Sequence, residues 1–143
     1  MAAGYDGPMQ ERTLISSGTI WEKKYGYSRA VSVGNVVFVA GTTAVDGDGA
    51  VVGPGSPYEQ ARFIFQKIEK ALAQAGLSLQ HVVRVRTFIT DISRWEEVAR
   101  AQGEMFADIR PAATLVQVSA LVSPELLVEI EGVAFSKCSL QPR

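Results

Sequence analysis

The chain is poor in the residues from which most enzymatic chemistry is built, with one cysteine and one histidine in 143 residues. The lone Cys138 excludes an internal disulfide and fits a reducing cytoplasm, and it has no basic partner to lower its pKa and make it reactive. His81, placed at a helix-to-strand junction, has no second histidine or cysteine at ligand spacing, so neither a metal site nor a metal cofactor is expected. No stretch approaches the roughly 20 apolar residues a transmembrane helix needs, and residues 1–11 lack the apolar centre of a secretory signal. Neither sign of charge dominates. Fourteen basic against fifteen acidic residues give a net charge of −1, which removes long-range attraction to nucleic acid or to an anionic membrane. Trp21 and Trp95 have no basic cluster interleaved with them, so they read as packing residues rather than stacking platforms.

What the chain does have is core. A hydrophobic content of 47% over this length fits one globular domain. The expected domain spans 12–137, with residues 1–11 a loose arm and 138–143 a tail. Residues 29–41 read as two strands joined at Gly34-Asn35, and Asp46-Gly47-Asp48-Gly49 marks another reversal before Val51-Val52. Ser56-Pro57-Tyr58-Glu59 carries the signature of a capping box and opens a helix expected to reach about Ala75, where Gly76 ends it. Its apolar stripe is Tyr58, Ala61, Phe65, Ile68, Leu72 and Ala75.

Residues 82–90 form the clearest strand, with Val83, Val85, Thr87 and Ile89 on one side and Arg84, Arg86 and Phe88 on the other. Ser93-Arg94-Trp95-Glu96 predicts a second capped helix ending near Ile109, before Pro111, with strands following at about 114–119 and 127–136. The order ββ(β)αβαββ points to an α/β two-layer sandwich with both helices on one face of a mixed sheet. The strands are apolar in both registers, as in Val36-Val37-Phe38-Val39, so the other face needs cover, and self-association supplies it.

Two acids at period two, Glu129 and Glu131, sit inside the last apolar run and need a reason. Arg84 and Arg86 share that spacing, so cross-strand ion pairing is the plain explanation for all four.

Gly26-Tyr27-Ser28-Arg29-Ala30, Val36-Val37-Phe38-Val39-Ala40-Gly41, Phe88-Ile89-Thr90-Asp91, Arg110-Pro111-Ala112 and Val128-Glu129-Ile130-Glu131 follow one another in an order and spacing that resemble the Rid (YjgF) family, also labelled L-PSP endoribonuclease. The resemblance spans roughly residues 12–136. It implies a chorismate-mutase-like fold, a homotrimer with ligand clefts between subunits, and hydrolysis of small reactive 2-imino acids without a metal or organic cofactor. Glu129 matches the glutamate thought to position the hydrolytic water, and Tyr27 matches an aromatic cleft residue. Gly41 begins a segment whose backbone can approach a ligand closely.

The chain departs from the family at Ala113, where the deaminase members carry an arginine that clamps the substrate carboxylate. Arg110 and Arg29 are the candidate substitutes, and Thr114 adjoins the missing clamp. Ala99 and Gln102 also stand where many relatives have asparagine and tyrosine. Three functions are therefore expected to compete: hydrolysis of an imine or enamine, metabolite binding by a trimer that has lost the clamp, and RNA cleavage. The last is disfavoured by near-neutral charge and the want of a histidine pair.

Overall fold

The turn at Gly34-Asn35 forms where the residues dictate, with Gly34 in the left-handed region at φ 57. In the computed structural model, which describes residues 7–137, it joins β2 (Ala30–Val33) to β3 (Val36–Thr43). Before this hairpin come β1 (Arg12–Ile15) and a short helix, α1 (Ile20–Tyr25). After it follow α2 (Pro57–Ala73), β4 (Val82–Ile89), α3 (Trp95–Phe106), β5 (Ala112–Gln117) and β6 (Val128–Phe135). The six strands form one sheet in the order β1-β2-β3-β6-β4-β5. Every neighbouring pair is antiparallel except β4 and β5, which α3 connects in parallel.

The fold is the expected α/β sandwich. On the covered face, Ile64, Phe65, Ile68 and Leu72 of α2 and Val98 of α3 pack with Val37, Val85, Ile89, Val128 and Ile130 of the sheet. Phe65 meets Phe106 edge-on at 5.1 Å between ring centres, locking α2 to α3, and deleting a buried phenylalanine of this kind costs roughly 3–5 kcal/mol. The opposite face is bare. Phe38, Val116 and Phe135 lie exposed on it, beside the charged side chains of β4 and β6.

The register corrects several expectations. β1 and α1 were not foreseen: β1 buries only Ile15, and α1 is too short to display a periodic stripe. Ser56 caps α2 by accepting from the Glu59 N–H at 3.1 Å, but its own N–H donates to the Gly53 carbonyl, so the return half of the capping box is not made. Helix α2 ends at Ala73, and Gly76, at φ 72, allows Leu77 N–H to reach the Leu72 carbonyl.

Ser93 does not cap α3. Asp91 instead accepts from Ser93 to close a short 3-10 turn, and α3 starts at Trp95 and stops at Phe106, three residues short of Ile109. Val83 is exposed rather than covered, because β4 slips against β6 between Val82 and Arg84. β5 starts and ends two residues earlier than expected. Trp21 and Trp95 are each 48% exposed, so neither is a core packing residue. Cys138 lies outside the described residues.

Candidate functional site

β6 alternates strictly. Val128, Ile130 and Ala134 are buried toward the helices, which turns Glu129 and Glu131 to the bare face. Two residues apart, the two acids have different surroundings. Glu131 stands opposite Arg86 in the register, and Arg86 Nη1 donates to its Oε1 at 3.1 Å. Both partners are well exposed, so this is an ordinary surface pair. Arg84 is engaged too, donating through Nη2 to Thr114 Oγ1 at 2.9 Å. Cross-strand ion pairing therefore accounts for Arg86 and Glu131, whereas Arg84 bonds a neutral hydroxyl and Glu129 is left out.

Glu129 lies between Thr43 of β3 and Phe88 of β4, and among the described residues it has no ion-pair partner. Its place is made by a bulge. Val39 pairs with Gly132 and Thr42 with Ile130, so β3 carries one extra residue there, at Ala40-Gly41. Buried Thr42 fixes the bulge by donating from Oγ1 to the Ala40 carbonyl at 2.8 Å.

A Cβ on Gly41 would lie 3.2 Å from the Glu129 carboxylate carbon and closer still to one of its oxygens, so the acid rests in space that only glycine leaves open. The backbone of Gly41 is otherwise ordinary. Burial raises the proton affinity of Glu129, Arg29 works against that rise, and Glu131 adds to it.

Arg29 stands just before β2, where β3 loses its strand neighbour. Its Nη2 donates to the Gly41 carbonyl at 2.8 Å, and its guanidinium carbon lies 6.0 Å from the Tyr27 ring centre. Its Nε is buried without a partner among the described residues. Burial lowers its proton affinity, against the pull of Tyr27, Glu22 and Glu129. Lys67 serves the next carbonyls along the same free edge, donating from Nζ to Thr43 O at 2.8 Å and to Val45 O at 2.9 Å. Burial, with Arg29 nearby, brings its pKa down to about 8.

Lys67 was missed in the sequence. A signal existed, since it interrupts the buried stripe Ile64, Ile68 and Ala71 of α2. Gln60 hides in the same way: fully buried, it donates to Gly53 O and Glu125 O and accepts from Leu127 N–H, tying α2 to the approach of β6.

Tyr27, Arg29, Gly41 and Glu129 are thus one cluster. Arg110, Ala113 and Thr114 form another, along a cleft of about 630 Å³ between α3 and β5. In-sheet geometry separates them: Glu129 lies across from Phe88, Phe88 from Val116, and Ala113 is three residues before Val116. That is roughly 10 Å across the strands and roughly 10 Å along them.

A larger, mostly apolar cleft of about 930 Å³ runs beside β1, α1 and Phe38. It includes Tyr27 and Ala40 but not Glu129, so its size does not mark it as the place of chemistry. At its rim, burial acts to raise the pKa of Glu22, but hydrogen bonds from Ser17, Ser16 and Thr19 outweigh it and hold the carboxyl below the usual range. His81 accepts from the Ser78 N–H at 3.1 Å in a turn cap. Among the described residues no group of three or more His, Cys, Asp or Glu could hold a metal, and no helix is long and apolar enough to cross a membrane.

Comparison with known proteins adds an independent line. The family profile described as Endoribonuclease L-PSP matches residues 21–136. An uncharacterised protein of Streptomyces coelicolor is 38% identical over 121 residues, covering 85% of this chain and 90% of the relative. The 3-aminoacrylate deaminase RutC of Acinetobacter baylyi is 34% identical over 108 residues, covering 76% of this chain and 85% of the relative. A crystal structure of a YjgF/YER057c/UK114 family member from Mycobacterium tuberculosis superposes with a TM-score of 0.78 at 47% identity, covering 87% of this chain and 99% of that one.

Proposed function

Since the chain belongs to the Rid/YjgF family of endoribonuclease L-PSP-type proteins, we propose that it hydrolyses a small imine or enamine in a cleft completed between the subunits of a homotrimer. The observation that carries this reading is Glu129, an acid on the open face that is half-buried, without an ion-pair partner among the described residues, and raised in proton affinity. Such a carboxylate can accept a proton from water at one moment and return it at another. Net hydrolysis requires both, since one imine and one water become one carbonyl compound and one ammonia.

In the forward direction, Glu129 orients a water and takes its proton as oxygen bonds to the imine carbon. Glu129 returns that proton to the nitrogen to give the neutral carbinolamine, then takes the hydroxyl proton and passes it to the nitrogen as the C–N bond breaks, so that ammonia and the carbonyl product leave and the carboxylate is restored. Tyr27 and Arg29 border the same spot and supply hydrogen-bond donors to the substrate. The relative named a 3-aminoacrylate deaminase supports this chemistry, because an enamine tautomerises to an imine before water adds.

Two features support the intersubunit cleft. The bare face carries exposed Phe38 and Phe135, and the two residue clusters are too far apart in one subunit to act on one small molecule. A second subunit that brings its α3–β5 cleft against the Glu129 cluster completes the site. Ala113 favours one further reading, a trimer that binds a metabolite and does not turn it over.

The test is to supply imines generated by an amino-acid oxidase, follow their loss through semicarbazone formation, and measure mass in solution by sedimentation. Faster hydrolysis that disappears in Glu129→Gln, from a trimeric species, is the expected result. Ligand-induced thermal stabilisation without turnover selects the binding reading, and a monomer in solution removes both.

A further inference from the structure

Arg29 holds the bulge of β3 twice. Its carbonyl accepts from the Ala40 N–H at 3.0 Å, one rung beyond the last pair of β2 with β3, Ala30 with Val39. Its Nη2 donates to the Gly41 carbonyl at 2.8 Å. Ala40 and Gly41 are the two bulge residues, set against Glu131 alone on β6. One residue thus ties both of them, the first by its backbone and the second by its side chain.

The plain reading is that Arg29 satisfies a carbonyl left over where β2 ends, and any polar side chain of sufficient reach could do that. It does not explain a guanidinium. Arg29 is half-buried, and the charges of Glu22 and Glu129 both act on it, yet among the described residues it forms an ion pair with neither. Glu22 is already engaged, since its carboxylate accepts from the Ser17 N–H and from the hydroxyls of Ser17 and Thr19. The Arg29 Nε is buried without a partner among the described residues, so the orientation that reaches Gly41 is kept although it leaves a donor unused. Fixing Gly41 has a direct consequence, because the Glu129 carboxylate occupies the space that a Cβ there would take. When the bulge shifts, the wall against which the acid rests shifts with it.

We infer that Arg29 is a positioning residue: it fixes the Ala40-Gly41 bulge and, through the bulge, the place of the Glu129 carboxylate. The kinetic consequence rests on the proposed role of Glu129, and the structural one does not. Arg29 also opposes the rise in Glu129 proton affinity, while Glu131, itself paired with Arg86, adds to that rise.

The test compares Arg29→Gln, which removes the charge, with Arg29→Lys, which keeps the charge and loses the planar fork. Two readouts need no turnover: hydrogen exchange of the Ala40 amide, and titration of the Glu129 carboxyl by carbon-13 NMR, its signal assigned by its loss in Glu129→Gln. In Arg29→Gln the Ala40 amide should exchange about tenfold faster while amides between β4 and β6 are unchanged, and Glu129 should titrate at higher pH. Arg29→Lys should also exchange faster but titrate like the parent. In imine hydrolysis, Arg29→Gln should lower kcat about tenfold in the parent and by less than about twofold in a Glu129→Gln background, because it acts through that acid.

Parent-like exchange at Ala40 in Arg29→Gln overturns the assignment. So does a kcat loss undiminished in the Glu129→Gln background, which makes Arg29 an independent group, or full recovery of kcat by Arg29→Lys, which leaves charge as its whole role. If Arg29→Gln does not fold, Arg29→Lys decides: faster exchange with a parental titration sustains the assignment, and parental exchange ends it. A parent that hydrolyses no imine refutes the proposed function, and the Ala40 exchange then decides the positioning by itself.

Discussion

The bare face of the sheet has two charged regions, and they obey different rules. On one side β4 is paired along both edges, with β6 and with β5, and its charged side chains have partners: Arg86 with Glu131, Arg84 with Thr114. Toward β3, beyond the start of β2, pairing stops and a bulge intrudes, and there the cations go to backbone carbonyls while the acid is left alone. Arg29 and Lys67 cap the orphan carbonyls of a free strand edge, which also blocks that edge from pairing with another chain. Because both cations are occupied in this way, Glu129 stays unpaired next to Gly41. The unpaired acid is thus a by-product of where strand pairing runs out.

Removing the acid on each side is the strongest way to break the comparison. Glu129→Gln should lower kcat for imine hydrolysis by about 10²–10⁴-fold, the range expected for loss of a general acid–base group, while Glu131→Gln leaves it within about twofold. Stability separates the pair again. Because the folded-state proton affinity of Glu129 is raised, the native state binds more protons than the unfolded state between the ordinary carboxylate range and the raised value. Wild-type stability should therefore fall as pH rises through that window, and Glu129→Gln should be flat there in chemical-denaturation titrations. If Glu129→Gln keeps parental turnover, the contrast between the two regions has no catalytic meaning.

Gly41→Ala probes the bulge itself. The backbone accepts alanine, but the new Cβ displaces the Glu129 carboxylate. Turnover should fall by about 10–100-fold, since a displacement of about 1 Å can cost a factor of that size, whereas melting temperature changes little. Loss of folding with no distinct kinetic effect would show that Gly41 is needed for the chain path and not for the acid.

Much of this was legible in the sequence, and the boundary follows the range of the interactions. Helix α2 announces itself through Ser56-Pro57 and Gly76, all local signals, and the turn at Gly34-Asn35 likewise. β1 and α1 bury too little to leave a pattern. Glu129 and Glu131 are indistinguishable along the chain, and only the family resemblance pointed to the first. What separates them is the pairing of β6 with two other strands and a bulge in one of these, which no local pattern encodes. Arg29 and Tyr27 did fall beside Glu129, while Arg110, Ala113 and Thr114 did not.

Lys67 and the Arg86–Glu131 pair sharpen the comparison with smaller effects. The pKa of Lys67, lowered to about 8, means that the unfolded state holds more protons than the native state from there up to the ordinary lysine value. Stability should thus rise with pH across that interval, by on the order of 1 kcal/mol after allowance for solvent screening, and Lys67→Met should lose this rise. On the paired side, Arg86→Gln and Glu131→Gln should each cost about 0.2–1 kcal/mol, the double variant should cost no more than their sum, and the loss should shrink in high salt. A coupling well above 1 kcal/mol in that cycle would mean the pair is shielded from water, and would place the covered part of the bare face on the β4–β5 side instead of around Glu129.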